Sequence, residues 1–453
     1  MSEKPEEKWL RRIRGTWNGC DADVPDAFEA AVRDFVRSVA SELEGDPRYA
    51  ELAIVERLAE PDRAVQLKVV WEDDEGRVRI HRGWRVQHSC VLGPYKGGLR
   101  FRPDLDLSTL RALAFEQVFK NALTGLPLGG AKGVADFDPS DASPREVRRF
   151  CHAFMRQLVD HLGPNVDVPA GDQGVGAREI GYLYGAYRAL RGRPDVALTG
   201  KPLSSGGVPL RTEATGYGAV YFLRAMLARV DRGVEDARVA VSGAGNVSLH
   251  AAEKAVDLGA KVVTLSDSDG LLHAPDGLSA EQVATAKRLK LEERARVGEV
   301  ADALGLEYRE GETPWGVEAD VLLPSATEHE LDGDAAGRAI EAGARFVVEG
   351  SNLPCTDEAR QRFRRAGVAR APGKAANAGG VAVSFMEMAA SRTGRQPGRE
   401  EIDRWLAERM NAIHRRCEVH AGEDRGGWID YGRGANVAAL RRITDGIDAQ
   451  GIG

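Results

Sequence analysis

Apolar residues recur along this chain with two periods, and the switches between them mark out its elements. Residues 26–43, DAFEAAVRDFVRSVASEL, put Phe28, Val32, Phe35 and Val39 on one side of an amphipathic helix, suited to packing or subunit contact. Between residues 64 and 91 the runs AVQLKVVWED and RVRIHRGWRVQHS alternate and are rich in β-branched residues, which predicts strands. Helical spacing returns over 107–124 through Leu110, Leu113, Ala114 and Val118, with Asp106 or Ser108 as cap and Gly125 as stop. Further helices are predicted near 144–161 and over AREIGYLYGAYRAL. The stretch 200–218, GKPLSSGGVPLRTEATGYG, is glycine-, proline- and serine-rich and separates two patterns, so a domain boundary is placed there. Beyond it come strand 238–242, the turn GAGNVS, helix 247–258 and strand 261–266. ADVLLPSAT (319–327) and RFVVEGSNLP (345–354) continue as strand-then-turn units, PGKAANAGG precedes a helix over 381–390, and the tail is helical.

Length and composition narrow the class. A chain of 453 residues exceeds one ordinary core, so two domains are expected. With 43% hydrophobic and 29% charged residues it has a soluble globular composition. A formal net charge of −7 and no basic block argue against nucleic acid or an anionic membrane as partner. The cysteines (Cys20, Cys90, Cys151, Cys355, Cys417) are odd in number, scattered and free of CxxC, which fits reduced thiols in a cytoplasm and neither disulfides nor zinc. The N-terminal MSEKPEEKWLRRIRG lacks an apolar core, so no signal peptide is expected, and no run of about 18 apolar residues exists to span a membrane. His81 and His88 have no partner at ligand spacing; both read as structural, and no metal is expected.

Candidate chemistry concentrates in residues 93–133, GPYKGGLRFRPDLDLSTLRALAFEQVFKNALTGLPLGGAKG. Two glycine-rich turns carrying Lys96 and Lys132 bracket the helix over 107–124, on which Gln117 and Lys120 share a face. Glycines beside each lysine let the backbone approach something small. Of the 62 Lys+Arg residues 12 are lysines, and three of those fall between Lys96 and Lys132, so arginine serves where plain charge suffices. Lysine is the cation whose pKa burial and like-charged neighbours can lower. The cluster points to a carboxylate pocket or to a lysine tuned for proton transfer. Farther on, DVPAGDQGVG presents Asp172 at a turn of small residues, as either a turn former or a wall for a ligand. GAGNVS lies between strand and helix and is followed by a strand ending in Asp267, the pattern of a dinucleotide site. Gly243 would permit the tight turn, Gly245 the approach of a pyrophosphate to the helix N-terminus, and Ser248 close helix–strand packing. A doubly wound domain without nucleotide is the alternative.

The motifs GPYKGGLRF, EQVFKNAL, LPLGGAKGVADFDP, DVPAGDQGVG, TEATGYG, SGAGNV, EGSNLP, GKAANAGG and VAVSFMEM follow one another over nearly the whole chain. They resemble the glutamate dehydrogenase family (Glu/Leu/Phe/Val dehydrogenases), in its small hexameric, NADP-linked bacterial type. The resemblance implies an α/β fold of two domains with a cleft between them. Residues 1–205 would form an α/β substrate-binding and oligomerisation domain, 206–380 a doubly wound, Rossmann-like dinucleotide-binding domain, and 381–453 helices returning across the cleft. Lys96 resembles the lysine that holds the substrate side-chain carboxylate, helped by Ser384. Lys120 and Gln117 resemble the pair around the α-carboxylate, Lys132 the catalytic lysine, and Asp172 the aspartate that shuttles a proton. The stretch 212–215, with Thr215, and Asn377 resemble residues near the nicotinamide amide. Asn246 and Val247 in SGAGNV and Asn352 in EGSNLP join the cofactor-binding set. An acidic residue in the position of Asp267 favours NAD, but SDSDG resembles the NADP-type loop. There Ser268 would bond a 2′-phosphate, and Lys290, Arg294 and Arg296 would supply positive charge.

The activity so implied is reversible oxidative deamination of L-glutamate to 2-oxoglutarate and ammonia with NADP, in ammonia assimilation, by a cytoplasmic homohexamer. An NAD-linked enzyme is the first alternative. A branched-chain amino-acid dehydrogenase would want an apolar pocket where Lys96 and Ser384 stand, and a non-catalytic regulator would have lost Lys132 or Asp172. Two residues depart from the family pattern: Phe385 where glycine is common, and Gln173 where an aliphatic residue is usual.

Overall fold

The computed structural model describes residues 5–17, 26–104, 106–193, 195–235, 237–422 and 428–451, which leaves Cys20 outside the described residues. Two compact units emerge. The first comprises Met1–Pro209, Ser384–Arg399 and Asn436–Gly453; the second comprises Leu210–Val383 and Glu400–Ala435.

The first unit is built on five strands: β1 (Arg63–Glu72), β2 (Val78–Ser89), β3 (Tyr95–Phe101), β4 (Gly130–Ala135) and β5 (Asp167–Gly171). They are ordered β1-β2-β4-β3-β5, antiparallel from β1 to β4, with β3 parallel to both β4 and β5. Strand period decides the faces. Leu67, Val69, Trp71, Leu99, Phe101 and Ala135 join Phe150 and Phe154 of helix Pro144–Leu158 in one core. Val86 and Val134 turn instead to Leu110 and Ala114 of helix Leu107–Leu123. That helix starts at Asp106, which accepts from the Thr109 N–H at 2.6 Å, while the Ser108 hydroxyl accepts from the Phe28 N–H. Helix Asp26–Gly45 lies over it, with Phe35 stacked on Phe119 at 4.3 Å and Phe28 edge-on to Phe115 at 5.9 Å.

The segments expected to be glycine-rich turns around Lys96 and Lys132 are instead strands β3 and β4, both buried from end to end. Their glycines serve close packing. A Cβ on Gly97 would lie 1.6 Å from the Ala131 carbonyl oxygen, and one on Gly130 only 2.7 Å from the backbone nitrogen of Val118. The absence of side chains there lets the backbone of helix Leu107–Leu123 settle directly on the sheet. His81 and His88 are hydrogen-bonded within the unit, to the Asp136 carbonyl (2.9 Å) and the Leu58 carbonyl (2.8 Å).

Seven strands form the second unit's sheet: β6 (Arg238–Val241), β7 (Lys261–Ser266), β8 (Gly270–His273), β9 (Glu307–Glu310), β10 (Val321–Leu323), β11 (Phe346–Val348) and β12 (Ala369–Ala371). The order is β12-β11-β10-β6-β7-β8-β9, parallel from β12 to β7 and antiparallel over the last two pairs. The chain leaves β6 toward β7 on one side and returns to β10 on the other, so a topological switch point sits at the C-terminal end of β6. Ala240, Val263, Leu322 and Val347 are buried in its core with Trp315 and Phe363, as expected of parallel strands covered on both faces.

Candidate active site

On the first unit, β3, β4 and β5 present their C-terminal residues side by side. Lys132 on β4 and Asp172, just past β5, are in direct contact through Nζ and Oδ2, and Arg100 Nε on β3 lies 3.2 Å from the same oxygen. Lys132 and Arg100 are buried, and the Asp172 side chain is 19% exposed. Gly98 makes the approach feasible, since a Cβ there would fall 2.7 Å from the Asp172 Cβ. Desolvation opposes ionisation of Asp172, but Lys132, Arg100 and the Gln173 N–H outweigh it and hold the carboxyl well below the usual range. Asp172 is therefore a carboxylate held directly against the Lys132 amine.

Lys96 is 1% exposed on β3. Gln117 sits on the helix above, its Cγ 3.2 Å from where a Gly97 Cβ would be, and donates through Nε2 to Asn121 Oδ1 at 2.8 Å. Lys120 is half-buried in the last turn of that helix. Ser384 is fully buried on helix Gly379–Thr393. One turn on, Glu387 is buried against Lys201 Nζ and accepts from the Gly200 N–H at 2.8 Å. Since Thr199 N–H bonds the Pro169 carbonyl of β5 at 3.0 Å, the Ser384 helix is anchored to the strand that leads into Asp172.

Several residues of this site are not singled out by the sequence, although most lie inside its motifs. Arg100 lies two residues past the glycine pair. Asn121 is one helical turn past Gln117. Arg85 and Asp167 form a fully buried pair at 2.6 Å, and Arg85 also reaches the Gly97 and Gly98 carbonyls. The guanidinium crosses the sheet over Gly133, where a Cβ would meet Arg85 Cδ at 3.2 Å. A buried charge needs its partners in place, and here they brace the strand that carries Lys96.

On the second unit the loop after β6 has Gly243 at φ +78°, and a Cβ there would also strike Ser248 Oγ at 2.6 Å. Gly245 by contrast opens onto free space at the N-terminus of helix Asn246–Asp257. Ser248, fully buried, bonds the Ser242 carbonyl at 2.9 Å, a reason for serine in place of the commoner glycine or alanine. Asn246 Nδ2 bonds the Thr212 carbonyl at 2.7 Å, and Val247 Cγ1 packs against Gly350, 3.2 Å from where its Cβ would be.

Two further groups gather along the C-terminal edge of the sheet. Asn377 Nδ2 faces the Gly350 and Ser351 carbonyls and Asn352 Oδ1, each at 3.2 Å, while its own Oδ1 is buried without a hydrogen-bond partner. Thr215 stands beside it at Gly380, its Oγ1 2.5 Å from where a Gly380 Cβ would be. At the other end, Asp267 accepts from the Asp269 N–H (3.1 Å) and the Val297 N–H (2.9 Å), with Lys290 at 3.6 Å and Arg296 at 3.7 Å. Arg296 Nη2 donates to Ser268 Oγ at 2.8 Å and Nε to Asp269 Oδ2 at 2.6 Å. Asp269, unforeseen from sequence, is thereby held below its ordinary pKa, mainly by its hydrogen bond to Arg296. A dinucleotide fits these groups: an open glycine at a helix N-terminus for the pyrophosphate, a hydroxyl beside the Arg296 guanidinium for a ribose phosphate, and an orphaned amide oxygen for a carboxamide N–H.

Two family models match the chain: Glutamate/Leucine/Phenylalanine/Valine dehydrogenase over residues 206–451 and Glu/Leu/Phe/Val dehydrogenase, dimerisation domain, over residues 61–189. The NADP-specific glutamate dehydrogenase of Escherichia coli (strain K12) is 48% identical over 427 residues, 94% of this chain and 95% of that protein. The NAD(P)-specific glutamate dehydrogenase of Xylanibacter ruminicola is 46% identical over 422 residues, 93% and 95% of the two chains. Among solved structures, a Plasmodium falciparum glutamate dehydrogenase superimposes with a TM-score of 0.94 at 40% identity, covering 99% of this chain and 94% of that one. A hetero-hexameric glutamate dehydrogenase from Thermus thermophilus gives 0.79 at 30% identity, covering 92% and 97%.

Proposed function

The chain belongs to the Glu/Leu/Phe/Val dehydrogenase family, and we propose that it is an NADP-dependent glutamate dehydrogenase, interconverting L-glutamate and water with 2-oxoglutarate and ammonia. The observation that carries this reading is the Lys132–Asp172 contact beside Arg100, on a sheet whose neighbouring strand buries a further amine, Lys96.

Glutamate has two carboxylates, and two sets of donors divide them. Lys96 and Ser384 hold the side-chain carboxylate, and Lys120 with Gln117 the α-carboxylate. A branched-chain substrate would bring no side-chain carboxylate for Lys96 to meet. When bound, NADP would supply the hydride acceptor for Cα in the oxidative direction, and NADPH the hydride donor in reverse. Asp172, ionised, accepts a proton from the substrate ammonium as the amine is converted to an iminium. Lys132, in its neutral form, removes a proton from the water that adds to the iminium carbon. Asp172 then returns its proton to the departing nitrogen and, ionised again, takes the hydroxyl proton as the carbinolamine collapses to 2-oxoglutarate and ammonia.

Gly243, Gly245, Asn246 and Val247 with their helix N-terminus would hold the pyrophosphate. Ser268, Lys290 and Arg296 would hold the 2′-phosphate, and Thr215, Asn352 and Asn377 the nicotinamide carboxamide. NADP is favoured over NAD because Lys290 and Arg296 stand beside Asp267, and Arg296 reaches the Ser268 hydroxyl, so cations are at hand for a 2′-phosphate. A homohexamer working in a cytoplasm, in ammonia assimilation, completes the proposal. Its support is the motif resemblance, the free thiols of Cys90, Cys151, Cys355 and Cys417, and a cofactor suited to reductive synthesis. Among the described residues no helix is long and apolar enough to cross a membrane.

The test is NADPH oxidation by the purified chain with 2-oxoglutarate and ammonia, run beside NADH and beside 2-oxoisocaproate. Strong preference for NADPH and 2-oxoglutarate is expected; preference for 2-oxoisocaproate, or no turnover, would sink the reading. Light scattering decides the assembly, with about six copies expected if the resemblance holds.

A further inference from the structure

Helix Leu107–Leu123 carries at Asn121 a buried amide that the mechanism above does not use. Asn121 is fully buried. Its Nδ2 donates to the Lys96 carbonyl on β3 at 3.0 Å and to the Gly129 carbonyl just ahead of β4, and its Oδ1 accepts from Gln117 Nε2 at 2.8 Å. A primary amide has two N–H donors and one carbonyl oxygen. With both donors turned to backbone carbonyls, only the oxygen can face Gln117, so the hydrogen-bond network itself fixes which way each amide points. Gln117 is then obliged to turn its nitrogen toward Asn121, its neighbour one turn along the helix. Gly97 leaves it room on the other side, since a Cβ there would lie 3.2 Å from Gln117 Cγ.

We propose that Asn121 is a positioning residue for substrate recognition: by locking the Gln117 carboxamide it keeps the second Gln117 N–H available to the substrate α-carboxylate beside Lys120. The inference rests on the glutamate dehydrogenase reading. Asn121 does not touch the substrate. Without it the Gln117 amide is free to turn over and offer its carbonyl oxygen to a carboxylate, which repels it. Because the same hydrogen bonds also hold the Lys96 and Gly129 carbonyls, the lock is tied to the two strands on which the other substrate lysines stand.

The test uses the full chain with Asn121→Ser and Asn121→Ala, and each again in a Gln117→Ala background. The expected result is a rise of about 10-fold in the KM for glutamate, the loss of one hydrogen bond to a charged group. The KM for NADP and kcat at saturating glutamate should stay within about twofold, a split that general loosening of the fold would not give. In the Gln117→Ala background the same Asn121 changes should move the KM by less than about twofold. Folded Asn121 variants with an unchanged KM overturn the proposal. So does a rise that persists without Gln117, which would place the effect in the Lys96 strand. Should neither Asn121 variant fold, the melting temperature of Gln117→Ala decides: a fall of about 2 °C upholds the bond to Asn121, and no change overturns it. An inactive parent chain would refute the glutamate dehydrogenase reading; an active parent with unaffected variants refutes this inference alone.

Discussion

Replacing Gly98 by alanine tests the catalytic reading at one methyl group. The added Cβ would lie 2.7 Å from Asp172 Cβ, 2.8 Å from its Oδ2 and 3.1 Å from its Cγ, whereas ordinary contact begins at 3.4 Å. Asp172 must therefore retreat by about 0.7 Å, and being on a turn it has room to do so at about 1–3 kcal/mol of overpacking. Gly98 does not have a positive φ, so alanine meets no backbone strain there. The fold is expected to survive while the carboxylate leaves its position beside Lys132 and Arg100. Misplacement of a catalytic group by close to 1 Å costs on the order of 100-fold in rate. Steady-state NADPH oxidation with 2-oxoglutarate and ammonia should show kcat down by about that factor, with the KM for NADPH unchanged within about twofold. Circular dichroism would confirm folding. A folded Gly98→Ala enzyme with kcat within about threefold of the parent would refute a role for Asp172 at that position.

Three other outcomes are expected. Ser268→Asp sets a carboxylate where Arg296 Nη2 now meets a hydroxyl at 2.8 Å, and should raise the KM for NADPH at least about 10-fold while sparing NADH; an unchanged NADPH KM would remove the phosphate from that site. Glu387→Gln breaks the buried pair with Lys201 and should cost about 3–5 kcal/mol in urea unfolding, of which Glu387→Leu with Lys201→Met recovers only part because the Gly200 N–H loses its acceptor; a cost below about 1 kcal/mol would argue against the pair. Burial lowers the His88 pKa from 6.5 to about 4, so the unfolded chain binds its proton first. That contribution to stability is complete above pH 6.5 and falls by about 3 kcal/mol as pH drops toward 4, and His88→Gln should flatten that part of the curve. Parallel curves for parent and variant would contradict it.

Much of the site was legible because its chemistry is carried by residue type in short motifs. The SDSDG loop and Arg296 are an example: Ser268 and Arg296, 28 residues apart, do meet. Glycine density misled at Lys96 and Lys132, since glycine marks turns and also strands against which a helix backbone must lie. Only coordinates tell these apart, through the 2.7 Å between a Gly130 Cβ and the Val118 nitrogen. The supporting pairs were hidden for another reason. Arg85 and Asp167 are 82 residues apart and Lys201 and Glu387 are 186 apart, and nothing local in either sequence names its partner. Arg100 and Asn121 sat inside recognised motifs, but their part depends on which atoms they face, and residue spacing carries no such information.

The chain passes from one unit to the other at four junctions, after Pro209, Val383, Arg399 and Ala435. Neither unit is thus a continuous stretch of gene. A protease that cut near residue 209 would release nothing, because three further passages still join the pieces. Cloning out either half would mean splicing distant segments together, and Ser384 would be lost from any fragment that stopped at the first junction. Deletions from the C-terminal tail strike the first unit through Asn436–Gly453 and, once past Ala435, the second as well, and inheritance of the nucleotide-binding half as an exchangeable cassette is closed to a chain so threaded.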